Sequence, residues 1–274
     1  MHFIRHRDII VNEEYLSLLK SEGVDSFGAL FGYGHGDSVK KKKTRSVVRI
    51  ILQDKTFYLK RHSHSLKERL RSLCPCILPE DAKNEWDKMI LLSESGFLTM
   101  KPVAYGEKRT LGTIAASFTL TEEVDNAVRA EDYIPGLAGQ GREGVKKKRE
   151  LIRSIALIAK GFHRKGFNHQ DFYLGHFFVR PSTNEIFIMD VQRVQKRNRP
   201  VESRVIKDLG QFVFSAKNTA NFSAADLCRF GHAYLGKDKF DKHDKSMIKK
   251  VLSKAERIKR HDVKLLDRRR KGHS

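Results

Sequence analysis

The residues most able to do chemistry in this chain are two aspartates. Asp171 lies inside His169-Gln-Asp-Phe-Tyr-Leu-Gly-His176, and Asp190 ends Ile188-Met-Asp190. Between them the apolar runs 177–179 and 186–189 are joined by Pro181-Ser-Thr-Asn-Glu185, so a β-hairpin would carry one carboxylate at its entry and the other at its exit. That arrangement suits phosphoryl transfer, in which one carboxylate accepts the proton of an attacking hydroxyl and another holds a metal on the phosphates. Lys60 and Glu85 supply what such a reaction still needs: an ammonium for the α- and β-phosphates and an ion-pair partner to orient it. Each residue alone has a plainer reading, since strand lysines and helix glutamates are usually solvated and a loop aspartate often only caps a turn. Their joint order is what points to kinase chemistry, with ATP as donor and magnesium as the metal.

The elements that must hold these groups can be read around them. Ser46 to Ile51 and Thr56 to Lys60 are β-branched and aromatic runs flanking Gln53-Asp54-Lys55, a hairpin that places Lys60 at the end of its second strand. Pro79-Glu80-Asp81 begins a helical pattern that stops at Gly96, and Glu85, Met89 and Leu92 share its inward face. Strands are expected at Thr99 to Val103 and Ala116 to Thr121. Glu122-Glu123 then closes the strand-rich region as the hinge whose backbone would meet the nucleotide. Leu151, Ile155, Ile158 and Phe162 repeat at helical spacing up to the stop at Lys165-Gly166. Another apolar helix is expected around Leu209 to Phe214. The segment from Lys245 reads as an amphipathic basic helix whose last run, Arg268 to Lys271, is expected to be disordered.

The expected fold is therefore α+β, bilobal and protein-kinase-like. A small, mainly β N-lobe with one key helix spans residues 1–123, and a larger, mainly helical C-lobe spans 124–274. The C-lobe would hold the catalytic loop at 168–177, the metal ligand at 190 and a basic segment at 193–204.

Composition bounds the partners. The 274 residues include 54 Lys and Arg against 33 Asp and Glu, a formal charge of +21 that calls for an anionic partner. Cys74-Pro75-Cys76 offers too few thiols for a disulfide framework or a zinc site, which favours a reducing cytoplasm. No apolar run approaches the roughly 20 residues of a membrane span, and the N-terminus shows no apolar signal core. Gly32-Tyr-Gly-His-Gly36 precedes the lysines at 40–43, which read as a solvated loop; it fits a phosphate-covering loop poorly in spacing, and a surface turn explains it equally well.

Two departures from the protein-kinase pattern shift the expected acceptor. The position five residues after the base, an asparagine in protein kinases, is His176, a weaker magnesium ligand than an oxygen. Val-Gln-Arg follows Asp190 in place of Phe-Gly, with no Ala-Pro-Glu beyond, so a phosphorylation-controlled activation segment is not expected and a glycan or small molecule is.

Four stretches carry a family resemblance: Phe57-Tyr-Leu-Lys-Arg-His62; Asn84-Glu-Trp86 leading to Met100-Lys-Pro-Val-Ala-Tyr-Gly106; Ser117-Phe-Thr-Leu-Thr-Glu-Glu123; and Asn168-His-Gln-Asp-Phe-Tyr-Leu-Gly-His-Phe177. Over roughly 57–192 the chain resembles the lipopolysaccharide kinase family, most of all its heptose(I) kinases, and the terminal His-Phe is the most specific feature. The resemblance implies a protein-kinase-like fold, ATP as donor and a core sugar hydroxyl of lipopolysaccharide as acceptor. Gln170 replaces the arginine of the family's His-Arg-Asp. Asp208 falls where kinases keep a buried helix carboxylate bracing the catalytic loop, through the loop backbone or His169.

Arg193, Arg197 and Arg199, with Lys196, Arg204 and Lys207 nearby, would bind an acceptor bearing carboxylates and phosphates. The basic tail would rest on the anionic cytoplasmic face of the inner membrane, making the protein cytoplasmic and peripheral; nucleic acid is not the expected partner. The rivals are a kinase of another glycan, small molecule or protein, and a nonenzymatic basic binding protein on a degenerate kinase fold. The second rival gives no reason to keep Lys60, Glu85, Asp171 and Asp190 in order.

Overall fold

A computed structural model describes residues 1–42, 44–71 and 82–271. Lys43, the pair Cys74 and Cys76, and the helix start at Pro79-Glu80-Asp81 lie outside the described residues. The chain divides into two compact units, Met1–Asp125 and Asn126–Ser274.

The first unit contains β1 (Phe3–His6), β2 (Ile9–Asn12), α1 (Leu16–Ser21), α2 (Phe27–Phe31), β3 (Asp37–Lys42), β4 (Arg45–Leu52), β5 (Lys55–Ser63), α3 (Leu66–Arg71), α4 (Ala82–Glu94), β6 (Lys101–Thr110) and β7 (Thr113–Glu122). Its seven strands form one antiparallel sheet in the order β1-β2-β6-β7-β5-β4-β3. Val11, Leu19, Leu30, Phe57, Leu59, Val103, Phe118 and Leu120 bury completely or nearly so in its core. The β4–β5 hairpin turns at Gln53-Asp54, with Gln53 at a φ of 51°, the left-handed conformation that two-residue hairpin turns require.

Two expectations change here. Lys60 is interior to β5, because pairing with β7 continues to Ser63 opposite Ala116. The lysines at 40–42 are strand, not loop: β3 is exposed throughout and takes its conformation from pairing with β4. A run of lysines has no apolar alternation to announce a strand, yet lysine is well suited to an edge strand, where its charge blocks further pairing.

His62 is 4% exposed on β5, and burial pushes its imidazole down to about 4. Its folded pKa is below the unfolded value near 6.5, so the stabilisation is complete above that value and is lost as pH falls toward 4. At full extent this linkage is worth roughly 3 kcal/mol. Urea denaturation at pH 7.5 and pH 5 should show the loss, and His62→Gln should flatten that dependence; an unchanged slope in the variant would assign the effect elsewhere.

The second unit contains β8 (Val128–Arg129), α5 (Ala130–Gly136), α6 (Gly141–Arg164), β9 (Phe167–Asn168), β10 (Phe177–Arg180), β11 (Glu185–Ile188), β12 (Gln195–Lys196), α7 (Glu202–Lys217), α8 (Ala224–Leu235) and α9 (Lys242–Lys271). α6 buries Leu151, Ile152, Ile155, Ala156, Ala159 and Phe162 along one stripe. Gly166 follows it at a φ of 80°, and a Cβ there would lie 2.0 Å from the Arg197 carbonyl oxygen. That glycine lets β9 and β12 pair directly behind the catalytic loop, with the Arg197 N–H donating to the Gly166 carbonyl. The expected disorder at Arg268 to Lys271 is corrected, since α9 runs through Lys271. Extending an existing helix carries no nucleation cost, and arginine and lysine are good helix formers that suit its negative C-terminal end. No helix among the described residues is long and apolar enough to cross a membrane.

Candidate active site

In the first unit, Lys60 points from the sheet to α4. The stripe Ala82, Glu85, Trp86, Met89 and Leu92 buries one face of that helix, and burial carries Glu85 inward with its apolar neighbours. The Lys60 Nζ donates to Glu85 Oε1. The lysine side chain is 15% exposed and the glutamate 0%, so this ion pair is sheltered from water and its geometry is fixed by packing.

Glu122 and Glu123 are fastened within the same unit. Glu122 accepts from the Tyr15 hydroxyl at 2.6 Å and from the Lys55 ammonium at 3.0 Å. Glu123 accepts from the Tyr58 hydroxyl at 2.8 Å, while its N–H donates to the Thr56 carbonyl. The Glu123 amide is thus engaged within the sheet. Gly32 to Gly36 precedes β3 and lies outside the β3–β4 hairpin, whose last pair is Lys42 with Arg45.

In the second unit, one helix organises the catalytic loop. Asp208 of α7 is fully buried and accepts from the backbone N–H groups of His169, at 2.7 Å, and Gln170, at 3.0 Å. One and two turns further on, Gln211 accepts from the Phe172 N–H and donates to the Gln170 carbonyl, and the Ser215 hydroxyl accepts from the Leu174 N–H. Gln211 and Ser215 were not foreseen. Polar residues at 208, 211 and 215, recurring at helical spacing among the mostly apolar residues 209–216, were the available signal.

Asp171 and Asp190 flank the β10–β11 hairpin, whose strands pair Phe177 with Ile188 and Arg180 with Glu185. The His169 ring is nine-tenths buried or more, and burial lowers its pKa. It is therefore neutral and donates Nε2–H to the Met189 carbonyl at 2.9 Å, tying the residue before Asp190 to the loop. His176 stacks on His169, with ring centres 5.6 Å apart. Its Nδ1 lies 2.6 Å from the Asp171 carbonyl oxygen, which can only accept. In the uncharged ring the proton is therefore on Nδ1, and Nε2 presents a lone pair 3.9 Å from Asp190 Oδ2.

Arg193 lies against Asp171. Asp190 adopts a left-handed φ of 54°, and the 3-10 turn Val191–Arg193 carries the arginine back to the loop. There its Nη1 donates to both carboxylate oxygens of Asp171 at 2.9 Å. Gln170, at the position of the family's arginine, donates to the Arg193 carbonyl and secures the same turn. Arg197 and Arg199 are exposed, and the Arg197 guanidinium donates to Gln195 Oε1 at 3.2 Å.

A strand lysine held by a buried helix glutamate, followed by a helix-braced loop aspartate and a second aspartate after a hairpin, defines the class: a kinase. The chain belongs to the lipopolysaccharide kinase (Kdo/WaaP) family, whose model matches residues 33–234. It is 31% identical over 235 residues to the lipopolysaccharide core heptose(I) kinase WaaP of Escherichia coli K12, covering 82% of this chain and 88% of that one. It is 29% identical over 224 residues to the enzyme of the same name from Pseudomonas aeruginosa, covering 77% and 81%. Among solved structures, WaaP in complex with acyl carrier protein superposes with a TM-score of 0.70 at 24% identity, over 93% of this chain and 99% of that one. The family makes this chain an ATP-using kinase of lipopolysaccharide.

Proposed function

We propose that this enzyme transfers the γ-phosphoryl group of ATP to a heptose hydroxyl of the lipopolysaccharide core. The observation that carries this reading is the likeness to heptose(I) kinases along 82% of the chain. Lys60, held by Glu85, binds the α- and β-phosphates. The backbone of Glu122 and Glu123 meets the nucleotide through groups other than the engaged Glu123 amide. Asp171 accepts the proton of the attacking hydroxyl, and Asp208 and His169 keep the loop in shape. Transfer of labelled phosphate from ATP to purified core glycolipids of defined structure, with mass spectrometry to locate it, tests the assignment. Phosphate on another sugar, or on protein alone, would overturn it.

Asp190 and His176 fit a divalent cation, which in this reading is magnesium. An exposed carboxylate and an imidazole lone pair face each other across a gap that one ion can span. The bound metal would neutralise charge on the phosphates. His176→Ala should raise the metal concentration for half-maximal turnover roughly tenfold, and His176→Asn should restore most of it by supplying an oxygen. Equal metal dependence in all three proteins would remove His176 from the ligand set.

Arg197 and Arg199 are exposed and available to the acceptor's anionic groups. Reversing both charges should raise the acceptor KM and spare the ATP KM; equal effects would refute the assignment. The basic C-terminal helix would hold the enzyme on an anionic cytoplasmic membrane surface. Removal of residues 259–274 should then weaken vesicle binding without slowing turnover of a soluble acceptor; undiminished binding would clear the tail of this role. An acyl carrier protein is a further proposed partner. α7, α8 and α9 enclose an apolar cavity of 340 Å³, lined by residues including Leu209, Val213, Leu227, Phe230 and Val251, that would take an aliphatic chain. Loading the carrier with an acyl chain should tighten its binding, and equal affinity for the unloaded carrier would refute this use of the cavity.

A further inference from the structure

Where α7 passes α9, Arg204 and Lys207 are joined by cations of α9 that the roles assigned so far do not use. Arg204 and Lys207 of α7 and Lys249, Lys250, Lys254 and Arg257 of α9 line a groove of 680 Å³, with serine hydroxyls between them. The helices approach closely because position 210 is glycine: a Cβ there would come within 2.6 Å of the Lys254 Cγ. Lys254 thus lays its methylenes over α7 and presents its ammonium to the groove.

This charge has little internal compensation. Among the described residues only Lys250 of the six has an ion pair, to Glu202 at 2.6 Å, and both of those side chains are more than half exposed. Burial lowers the pKa of Lys207, and the positive charges of Arg193 and Arg204 lower it further. On α7 the groove's Lys207 immediately precedes Asp208, whose carboxylate holds the backbone of the loop that carries Asp171.

We infer that this groove binds the acidic part of the acceptor, taking carboxylate or phosphate groups on sugars that flank the one being phosphorylated. The inference rests on the kinase reading above and extends it to residues outside the loop and the 193–199 segment. A concave cleft with hydroxyls set between cations suits discrete anions on a polyhydroxylated ligand, whereas a lipid surface calls for a flat or convex face. Its size lies within the range of clefts that enclose small ligands.

The test is the triple variant Lys249→Gln, Lys254→Gln, Arg257→Gln, in which glutamine at 254 keeps part of the stem over Gly210. The probe is the delipidated core oligosaccharide, used intact, dephosphorylated and carboxyl-reduced. The variant should raise the KM for the intact oligosaccharide roughly tenfold or more, leaving the ATP KM and kcat within about twofold. Whichever acceptor lacks the recognised group should bind wild type as weakly as the intact one binds the variant, which tells phosphate from carboxylate. An acceptor KM within about twofold of wild type overturns the inference, and so does loss of phosphatidylglycerol-vesicle or acyl carrier protein binding with that KM unchanged. Calorimetry with the same oligosaccharide reads the groove without turnover. Binding that the variant loses, in an enzyme that transfers no phosphate to any core acceptor, would sink the kinase reading and leave the groove standing.

Discussion

Asp171→Asn should lower kcat by roughly a hundred- to ten-thousandfold, the usual worth of a positioned general base, with the KM for ATP little altered. The amide keeps the size of the side chain, and the backbone bonds of Asp208, Gln211 and Ser215 to the loop do not depend on the carboxylate. A folded but inactive variant is therefore expected. Steady-state kinetics, with circular dichroism as the check on folding, decide it; a residual rate within tenfold of wild type would remove Asp171 as the base. Arg193 sharpens the point. Its guanidinium holds both oxygens of Asp171, so an acceptor hydroxyl must share or displace that contact before its proton can be taken.

Lys60→Met should abolish measurable turnover and also cost about 3 kcal/mol of stability. Both effects come from one contact. The substitution removes the ammonium proposed to bind the phosphates and strips that cation from a carboxylate with no exposure to water. Lys60→Met with Glu85→Leu should regain most of the stability and none of the activity, because a buried ion pair exchanged whole for apolar groups costs little. Urea denaturation and ATP turnover, measured on both variants, separate the two consequences. If the double variant is as unstable as the single one, the cost lies in packing and not in the buried charge.

The local elements around the chemistry were legible in the sequence because each rests on short-range signals. The β4–β5 and β10–β11 hairpins are apolar and β-branched runs broken by turn residues, and α4 shows the inward face that buries Glu85. What escaped notice depends on pairing or on distant contacts. β3 has no periodicity of its own, and α6 begins ten residues before Leu151, the first apolar residue of the repeat read from sequence. Of the α7 groups that brace the loop, about forty residues later in the chain, Asp208 is expected from the family resemblance, and nothing local to the loop announces Gln211 and Ser215. The contact of Arg193 with Asp171 depends on the left-handed turn at Asp190, which its basic neighbours in the sequence do not announce.

The bracing from α7 also decides how the loop moves. The amides of His169, Gln170, Phe172 and Leu174 donate to side chains of a single helix and not to neighbouring loop carbonyls. Their hydrogens can exchange with solvent only when that helix separates from the loop, so the four should exchange as one cooperative unit at a rate set by the opening of α7. A segment without regular secondary structure would then be as slow to exchange as the helix that holds it.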